Sequence, residues 1–465
     1  MAINELKTDL AEKIRSETGE NVFLCYQCVK CTSGCPLAEY FDLTPNQIMR
    51  AAQLGLEDMA LEAKTPWLCA SCQTCSTRCP QGIDVAKVMD FLVAEAGERG
   101  LPPKIPEIAL FNKVFLRNVN LLGRAYELGL MAEMNLRTRH VFKDVGMGLG
   151  MMRKGKIKLM PTFTRAPKRA KPIEKKPNQI GYYPGCSLHS MASEYDHSIH
   201  AVTKALDLEL VEPEGWLCCG SSPAHKADPE LALRLPMQNL AVIEQMGLDE
   251  VTLPCAMCFN RFRAAQYDSA AEPERKAAIE KELDYHFQDS VAVHSLLDVM
   301  VKRVGLGAIK EQVKTPLKDM KVACYYGCLM TRQPKITGAE QPEYPQDMDH
   351  FMTALGATPV DWGSKTQCCG ASLSITRTEI VLDLSARILA DARAAGAEAV
   401  VVACPLCHAN LDGRQHQMAD QPNALPVFYF TQLAALAFGL SEKDAALSKN
   451  MVDPKPLLKE KGLLN

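Results

Sequence analysis

The stretch WLCCG, residues 216–220, recurs as CCG at residues 368–370, and around these two copies most of the chain is organised. Each CCG lies between an upstream cysteine that ends YYPGC or YYGC and a downstream C-x2-C pair that follows a short apolar run. A unit repeated about 145 residues apart predicts a domain of two similar halves related by a pseudo-twofold axis. The cysteines of the two copies are Cys186, Cys218, Cys219, Cys255 and Cys258, then Cys328, Cys368, Cys369, Cys404 and Cys407.

Ahead of this repeat, eight cysteines form two copies of another spacing, C-x2-C-x2-C-x3-C followed by proline. Bacterial ferredoxins bind [4Fe-4S] clusters with this run, and in two-cluster ferredoxins the fourth cysteine of each run serves the other cluster. Zinc also uses C-x2-C pairs, but a zinc site needs no third cysteine at the same short step. We therefore predict two cubane clusters with crossed ligands, the first held by Cys25, Cys28, Cys31 and Cys79, and the second by Cys69, Cys72, Cys75 and Cys35.

The composition of the 465-residue chain excludes several classes of protein. Hydrophobic residues make up 47% and charged residues 23%, which excludes disordered and fibrous proteins. A net charge of -3 gives no general electrostatic footprint for nucleic acid. We expect neither a transmembrane helix nor an export signal, because apolar runs are short and the start of the chain is polar. The odd total of 19 cysteines then favours metal binding over disulfides.

The fold expected is an α+β multidomain chain that begins with a helical ferredoxin-type domain, residues 1–135. Residues 44–63 have helical periodicity, with Thr44 as N-cap and Pro45 at the first helical position. Residues 105–134 continue as an amphipathic helical stretch.

A basic, proline-rich linker is predicted at residues 136–178. Between residues 137 and 176 there are thirteen Lys/Arg and two acidic residues, and the prolines of the second half exclude a continuous helix there. We interpret this segment as an extended, solvated tether. The alternative is a docking strip for an acidic partner or an anionic membrane surface.

Beyond the linker, β-rich runs alternate with helical stretches such as 229–246 and 379–395. This alternation predicts α/β layers with the cysteines at strand ends and loops. The first CCG repeat is placed at 179–310 and the second at 311–440, followed by a polar tail, 441–465, that is helical or frayed.

Each CCG copy offers five cysteines, one more than a cube needs. Adjacent cysteines are suited to bridge neighbouring irons of a distorted cluster, whereas zinc in each half and a degenerate site are the alternatives. Cys324 has no counterpart in the first copy, and we expect a buried free thiol there.

These motifs resemble those of the heterodisulfide reductase family. The sequences LCYQCVKCTSGCP, residues 24–36, and WLCASCQTCSTRCPQGIDV, residues 67–85, are similar to its C subunit, and the two CCG motifs are similar to its B subunit. The chain therefore looks like a natural fusion of subunits that are separate in methanogens. The resemblance implies that the five cysteines of each CCG copy ligate one non-cubane [4Fe-4S] cluster.

The resemblance further implies an oxidoreductase subunit that reductively cleaves a disulfide, or oxidises two thiols in the reverse direction. Electrons would come from an FAD-containing flavoprotein partner, which would itself receive them from a dehydrogenase or hydrogenase. No flavin is expected in this chain, because it has no G-x-G-x-x-G motif. The alternatives are a quinone-coupled subunit and a purely electron-connecting one. We expect a cytoplasmic protein, with peripheral contact at the inner face of the membrane as the alternative location. His189, His225 and His408 are candidate proton relays, because histidine titrates near neutral pH.

Overall fold

The computed structural model describes residues 9–418 and 424–464. The first part of the chain consists of short helices joined by cysteine-bearing turns. Thr44 caps the third helix, its N–H donating to Gln47 Oε1 at 2.8 Å, and Pro45 is the first helical residue, as predicted. The helical periodicity of residues 44–63 corresponds to two helices, which are separated at Gly55, where φ is 66°. The helices are α1 (Asp9–Thr18), α2 (Lys30–Ser33), α3 (Pro45–Gln53), α4 (Glu57–Leu61), α5 (Thr65–Leu68), α6 (Thr74–Arg78) and α7 (Val85–Glu98).

Three further helices carry the chain from this part towards the repeats: α8 (Pro106–Leu122), α9 (Glu127–Arg137) and α10 (Val145–Arg153). The expectation of an extended tether is wrong for its first half, which contains α10. That helix packs on the rest of the protein. Asp144, just before it, accepts hydrogen bonds from both terminal nitrogens of Arg414, each at 3.1 Å. The proline-rich half has no helix, as predicted.

Two four-stranded parallel sheets form the rest of the protein, one in each CCG repeat. Their strand orders are β2-β1-β3-β4 and β6-β5-β7-β8, so each strand of the first repeat has a counterpart in the second. Gly181 of β1 pairs with Val251 of β3, and Cys324 of β5 pairs with Val401 of β7. The strands are β1 (Gln179–Tyr182), β2 (Glu209–Val211), β3 (Glu250–Leu253), β4 (Ala292–Ser295), β5 (Lys321–Tyr325), β6 (Thr358–Pro359), β7 (Ala399–Val402) and β8 (Val427–Tyr429). This confirms the helical first part followed by a pseudo-twofold α/β part.

Helices connect these strands, because parallel pairing needs long crossovers. In the first repeat they are α11 (Gly185–Leu188), α12 (Ser193–Ala205), α13 (Ser221–Ala227), α14 (Pro229–Gln245), α15 (Ala256–Ala271) and α16 (Pro273–Leu283). Between the repeats lie α17 (Leu296–Asp298), a π-helical turn (Val299–Gly305) and α18 (Leu306–Glu311). The second repeat adds α19 (Pro334–Thr337), α20 (Asp347–Ala354), α21 (Thr378–Ala394), α22 (Pro405–Leu411), α23 (Phe430–Ala437) and α24 (Lys455–Glu460).

The two repeats share one hydrophobic core. Helix α12 of the first packs on α23 of the second, where Ser198 Oγ and Thr431 Oγ1 are 2.7 Å apart. The rings of Tyr195 and Tyr429 stack with centroids 4.0 Å apart. These buried contacts make the pseudo-twofold interface part of the interior and not a hinge between two lobes.

The C-terminal tail continues this core. Leu458 is fully buried, and the buried Asn450 side chain donates to the Val427 carbonyl at 2.7 Å. The frayed alternative is therefore wrong for the described part of the tail. Among residues 9–418 and 424–464, the helices are all too short or too polar to cross a bilayer.

Candidate redox site

The two cysteine runs of the helical part adopt the same backbone conformation. Gln27 and Val29 flank Cys28 with φ of 61° and 65°, and Ser71 and Gln73 flank Cys72 with φ of 50° and 62°. Left-handed conformations at non-glycine residues are strained and concentrate at functional sites. Their recurrence at matching positions indicates that both runs are shaped for the same kind of ligand.

The fourth cysteine of each run lies beside the other run. Burial raises the pKa of the Cys35 thiol, and the neighbouring Cys72 and Cys69 raise it further. Burial and the neighbouring Cys28 raise the pKa of Tyr26, next to Cys25, and Cys79 of the other run raises it further. The crossing is close, because a Cβ added to Gly34 would lie 2.5 Å from the Arg78 side chain, and these residues precede the two fourth cysteines. The structure therefore brings Cys35 close to Cys69 and Cys72, and the crossed assignment of the ligands stays a prediction.

The second cysteine run is also docked against the CCG repeats. Arg332, only 2% exposed, donates to Thr74 Oγ1 at 2.6 Å and to the Thr366 carbonyl at 2.9 Å. On the first repeat, Lys226 donates to the Cys69 carbonyl. The run therefore lies between the two repeats, with buried polar contacts to both.

In each repeat the five cysteines are brought together at the carboxyl ends of the strands. Cys186 and Cys255 follow β1 and β3, and Cys328 and Cys404 occupy the same positions after β5 and β7. Parallel strands direct their carboxyl ends to one edge, where ligands bind in open α/β sheets.

The thiols of both repeats form one continuous string of contacts. In the first repeat, Cys219 Sγ lies 3.3 Å from Cys258 Sγ. In the second, Cys369 Sγ lies 3.8 Å from Cys407 Sγ. Successive neighbours along the string are Cys186, Cys218, Cys219, Cys258, Cys255, Cys404, Cys407 and Cys369.

The string crosses the pseudo-twofold interface, and a second set of thiol contacts, which begins at the residue next to its end, reaches the helical part. Cys255 of the first repeat contacts its counterpart Cys404 of the second. Cys368, adjacent to Cys369, contacts Cys72 of the second cysteine run. The two repeats and the second run therefore meet through sulfur atoms.

Contacts between neighbouring thiols lower the pKa of Cys219 and Cys404 and raise the pKa of Cys218, Cys258 and Cys407. The thiolate, which is the form that binds metal, is therefore favoured at Cys219 and Cys404. Backbone N–H groups reach other sulfurs: Ala125 N donates to Cys186 Sγ and Gly370 N to Cys368 Sγ, both at 3.3 Å. Such hydrogen bonds tune the potential of iron–sulfur clusters. Within the described residues, no three His, Cys, Asp or Glu side chains are grouped around a position for a single metal ion.

The backbone comes close to the cysteines of each repeat at a glycine. A Cβ added to Gly185 would lie 3.1 Å from Cys258 Sγ, and one added to Gly327 would lie 3.0 Å from Cys407 Sγ. Their φ values are 72° and 70°. Each repeat thus has a glycine at the point where the backbone approaches the second cysteine of its C-x2-C pair. The soft sulfur donors and this cleared space fit an iron–sulfur cluster in each repeat.

Gly185→Ala is therefore expected to lower the iron content by up to about four atoms per chain, because the new methyl group displaces Cys258. Gly247→Ala is the matched control. Gly247 also has positive φ, 80°, but a Cβ there meets nothing within 4 Å. Iron analysis and thermal melting of both variants check this. Equal iron loss in the two would show that backbone strain, and not the contact with sulfur, is responsible.

A cavity of about 460 Å³ lies against the cysteines of the first repeat and extends to the second. Helices α9 and α10 supply an apolar wall that includes Met131, Met147 and Met151. A pocket of this size with an apolar lining and few polar groups is typical of a small-molecule site.

Charged side chains are buried at one end of this cavity. Lys156 forms an ion pair with Glu194, and the two side chains are 5% and 0% exposed. His408 Nδ1 lies 3.8 Å from Glu194 Oε1 and 4.0 Å from Asp412 Oδ2. Burial raises the pKa of Asp412 to about 6, although Lys156 opposes this. Burial likewise raises the pKa of Glu127, on the cavity wall, to about 7.

The three candidate proton relays lie in three different surroundings. His408 lines the cavity and stacks on Tyr429 with ring centroids 4.2 Å apart. His225 is paired with Asp90 of the helical part at 2.8 Å, away from the cavity lining. His189 lies 3.6 Å from Glu212 and packs edge-on against Trp216. The structure brings only His408 of these three to the cavity.

Sequence reasoning missed the residues at the polar end of the cavity. Lys156 is one of thirteen Lys/Arg in a basic stretch, and nothing in its neighbours distinguishes it from a solvated lysine. Glu194 and Asp412 lie on separate helical stretches far apart in the sequence. Their meeting depends on the packing of the two repeats, for which the sequence holds no local signal.

Comparison with known proteins agrees with this arrangement of cysteines. The family described as cysteine-rich domain matches residues 180–263 and 322–412, and the 4Fe-4S dicluster domain matches residues 24–84. The iron-sulfur C subunit of the CoB–CoM heterodisulfide reductase of Methanopyrus kandleri is 32% identical over 152 residues, covering 31% of this chain and 72% of that protein. The chain belongs to the heterodisulfide reductase family. It joins a C-like part to a B-like part in one iron–sulfur protein.

Two relatives match the B-like part. The B subunit of the ferredoxin/F420H2-dependent CoB–CoM heterodisulfide reductase of Methanosarcina acetivorans is 27% identical over 283 residues, covering 59% of this chain and 94% of that protein. The 8-methylmenaquinol:fumarate reductase membrane anchor subunit of Wolinella succinogenes is 33% identical over 284 residues, covering 60% of this chain and 99% of that protein. The B-like architecture thus occurs in proteins named for a disulfide and for a quinol.

Proposed function

We propose that this chain is the iron–sulfur subunit of a heterodisulfide-reductase-like complex and that its paired CCG repeats form the site at which a disulfide is reduced. The observation that carries the proposal is the string of thiols. It joins Cys72 to Cys368, and Cys255 to Cys404 across the pseudo-twofold interface. Such a string would let electrons that arrive in the helical part reach both repeats.

The residues named above would hold two cubane clusters in the helical part and one non-cubane cluster in each repeat. When bound, these clusters supply one-electron transfers at potentials set by hydrogen bonding and burial. A disulfide takes two electrons, so two adjacent one-electron centres match its stoichiometry. An FAD-containing flavoprotein would deliver electrons to the cubane nearer the surface, because Cys28 is exposed whereas Cys72 is buried.

The protein's own side chains would then place the substrate and supply protons. The methionine-lined wall would exclude water from the reacting sulfur atoms. Glu127, with a pKa of about 7, populates both protonation states near neutral pH, so its carboxyl can give a proton to a thiolate product. Lys156 holds the Glu194 carboxylate at the far end of the cavity.

One observation favours a second candidate, a quinone. The hydroxyl of Tyr429, in the cavity lining, is buried without a hydrogen-bond partner among the described residues. It would suit a carbonyl oxygen, and the apolar wall would suit an isoprenoid side chain. The relative from Wolinella succinogenes, named for 8-methylmenaquinol, supports this alternative.

Two measurements on protein purified without oxygen test the proposal. Iron and acid-labile sulfide should each reach about 16 per chain, with little zinc. Viologen-reduced protein is then offered a panel of disulfides and short-chain quinones. Reoxidation by disulfides alone supports the disulfide site, and reoxidation by quinones alone supports the second candidate. About eight irons, or reoxidation by neither class, would leave a subunit that only connects partner enzymes.

A further inference from the structure

Exposed apolar side chains are distributed unequally over the protein. Of the eighteen large apolar side chains that are exposed in the described residues, nine fall between residues 136 and 163. Phe142, Met160 and Phe163 are 85%, 75% and 75% exposed. Soluble surfaces carry scattered apolar residues, but a concentration of this kind marks an interaction site.

The same part of the chain carries charge of one sign. Residues 136–171, here called the amphiphilic segment, contain eleven Lys/Arg and a single acidic residue, Asp144. Asp144 is neutralised by Arg414 inside the protein. The whole chain has a net charge of -3, so the rest of it is negative. Lys156 is buried in an ion pair with Glu194, and Arg137 is paired with Glu133. The other nine cations of the amphiphilic segment are at least partly exposed and make it a positive surface on an acidic protein.

Apolar and basic side chains alternate along α10 and the chain after it, and both are held in place by contacts with the rest of the protein. Val145, Leu149 and Met152 of α10 are exposed at positions i, i+4 and i+7, which lie on one face of a helix. Arg153 ends α10 and Lys158 lies five residues further on, where it donates to the Thr162 hydroxyl. Neither forms an ion pair with an acidic side chain among the described residues. The rest of α10 is anchored, since Lys154 donates to the Ser448 carbonyl at 3.1 Å and Met451 packs on Gly150.

The extended chain after α10 belongs to the same surface. Thr164 N donates to the Leu122 carbonyl at 2.9 Å, and the Tyr126 hydroxyl donates to the Leu159 carbonyl. These bonds hold Leu159, Met160 and Phe163 beside the end of α8, where Leu121 is also 69% exposed. Exposed apolar side chains thus lie at the end of α8 as well as on α10.

We propose that the amphiphilic segment docks the protein peripherally on an anionic lipid bilayer. Apolar side chains interleaved with unpaired cations are the chemistry of an interfacial membrane contact, in which the apolar groups enter the acyl boundary and the cations meet lipid phosphates. A protein partner would instead need a face that is both apolar and uniformly acidic. Val145, Leu149 and Met152 also line the cavity, so the proposed docking face borders the substrate site.

Vesicle flotation of the iron-loaded full chain tests this. The protein should float with vesicles of phosphatidylglycerol and phosphatidylcholine, and at least about tenfold less with phosphatidylcholine alone or in about 0.5 M salt. Phe142→Ser with Phe163→Ser should lower the bound fraction at least about tenfold, as should Arg153→Glu with Lys158→Glu. None of these side chains touches the cysteines or lines the cavity.

Matched controls separate the segment from general stickiness. Leu56→Ser with Met59→Ser removes apolar side chains that are 44% and 49% exposed elsewhere, and Lys318→Glu with Lys459→Glu reverses two exposed charges elsewhere. Both control proteins should float as the unaltered chain does. Failure of the unaltered chain to bind anionic vesicles would overturn the proposal. Equal loss of vesicle binding in the control and the segment variants would also overturn it.

Discussion

Cys219→Ala is expected to lower substrate turnover at least about 100-fold while both cubane clusters stay reducible. Cys219 lies inside the thiol string, 3.3 Å from Cys258 and in contact with Cys218. Its loss removes one of five sulfurs from the first repeat and none from the helical part. Turnover with the best substrate of the panel, together with electron paramagnetic resonance of the reduced protein, measures the two effects separately.

Cys324→Ala is the matched control for this result. Cys324 is also a fully buried cysteine in a CCG repeat, but it lies within β5 and burial raises the pKa of its thiol. This variant should keep most of its activity. Complete inactivation by it would show that Cys324 is more than a structural thiol. Loss of both cubane signals in Cys219→Ala would mean that the cysteines have been divided incorrectly between the two kinds of cluster.

Paired substitutions should show that the fourth cysteines are exchanged between the two runs. In the crossed arrangement, Cys28→Ala with Cys35→Ala damages both cubanes and should remove about eight irons per chain. Cys35→Ala with Cys72→Ala damages only one and should remove about four. Iron analysis of the two double variants suffices, because each carries the same number of changes within the same helical part.

The opposite order of iron losses would show that the ligands are not crossed. If each run kept its own fourth cysteine, Cys28 and Cys35 would share a cluster, whereas Cys35 and Cys72 would not. The losses would then be about four and about eight irons, the reverse of the expected order. The crossed arrangement is supported by Cys35, whose pKa is raised, after burial, more by Cys72 and Cys69 of the other run than by Cys31 of its own.

Much of the architecture could be predicted because the decisive signals are local. The apolar runs before Cys255 and Cys404 are short and bounded, and they form buried parallel strands, as the pattern indicates. Residues 161–177, with their four prolines, contain no helix or strand, as the pattern indicates. The repeat of CCG at a similar spacing was enough to predict two similar α/β halves, and their sheets have the same strand order.

The parts that could not be predicted depend on contacts distant in sequence. Helix α10 contains three glycines, which disfavour a helix, and it is stabilised instead by packing against the C-terminal tail. Lys156 reaches Glu194 only because that packing holds the chain after α10 over the first repeat. The cavity and its charged end are therefore products of tertiary structure, and no spacing in the sequence marks them.

The docking of the helical part through Arg332 and Thr74 has a kinetic consequence. Donor and acceptor cysteine sets are covalently joined and already packed together, so they need not find each other by diffusion. The effective concentration of one for the other is fixed by the chain itself and does not change on dilution. The internal electron-transfer step should accordingly be unimolecular, with a rate constant that is the same at nanomolar and micromolar protein.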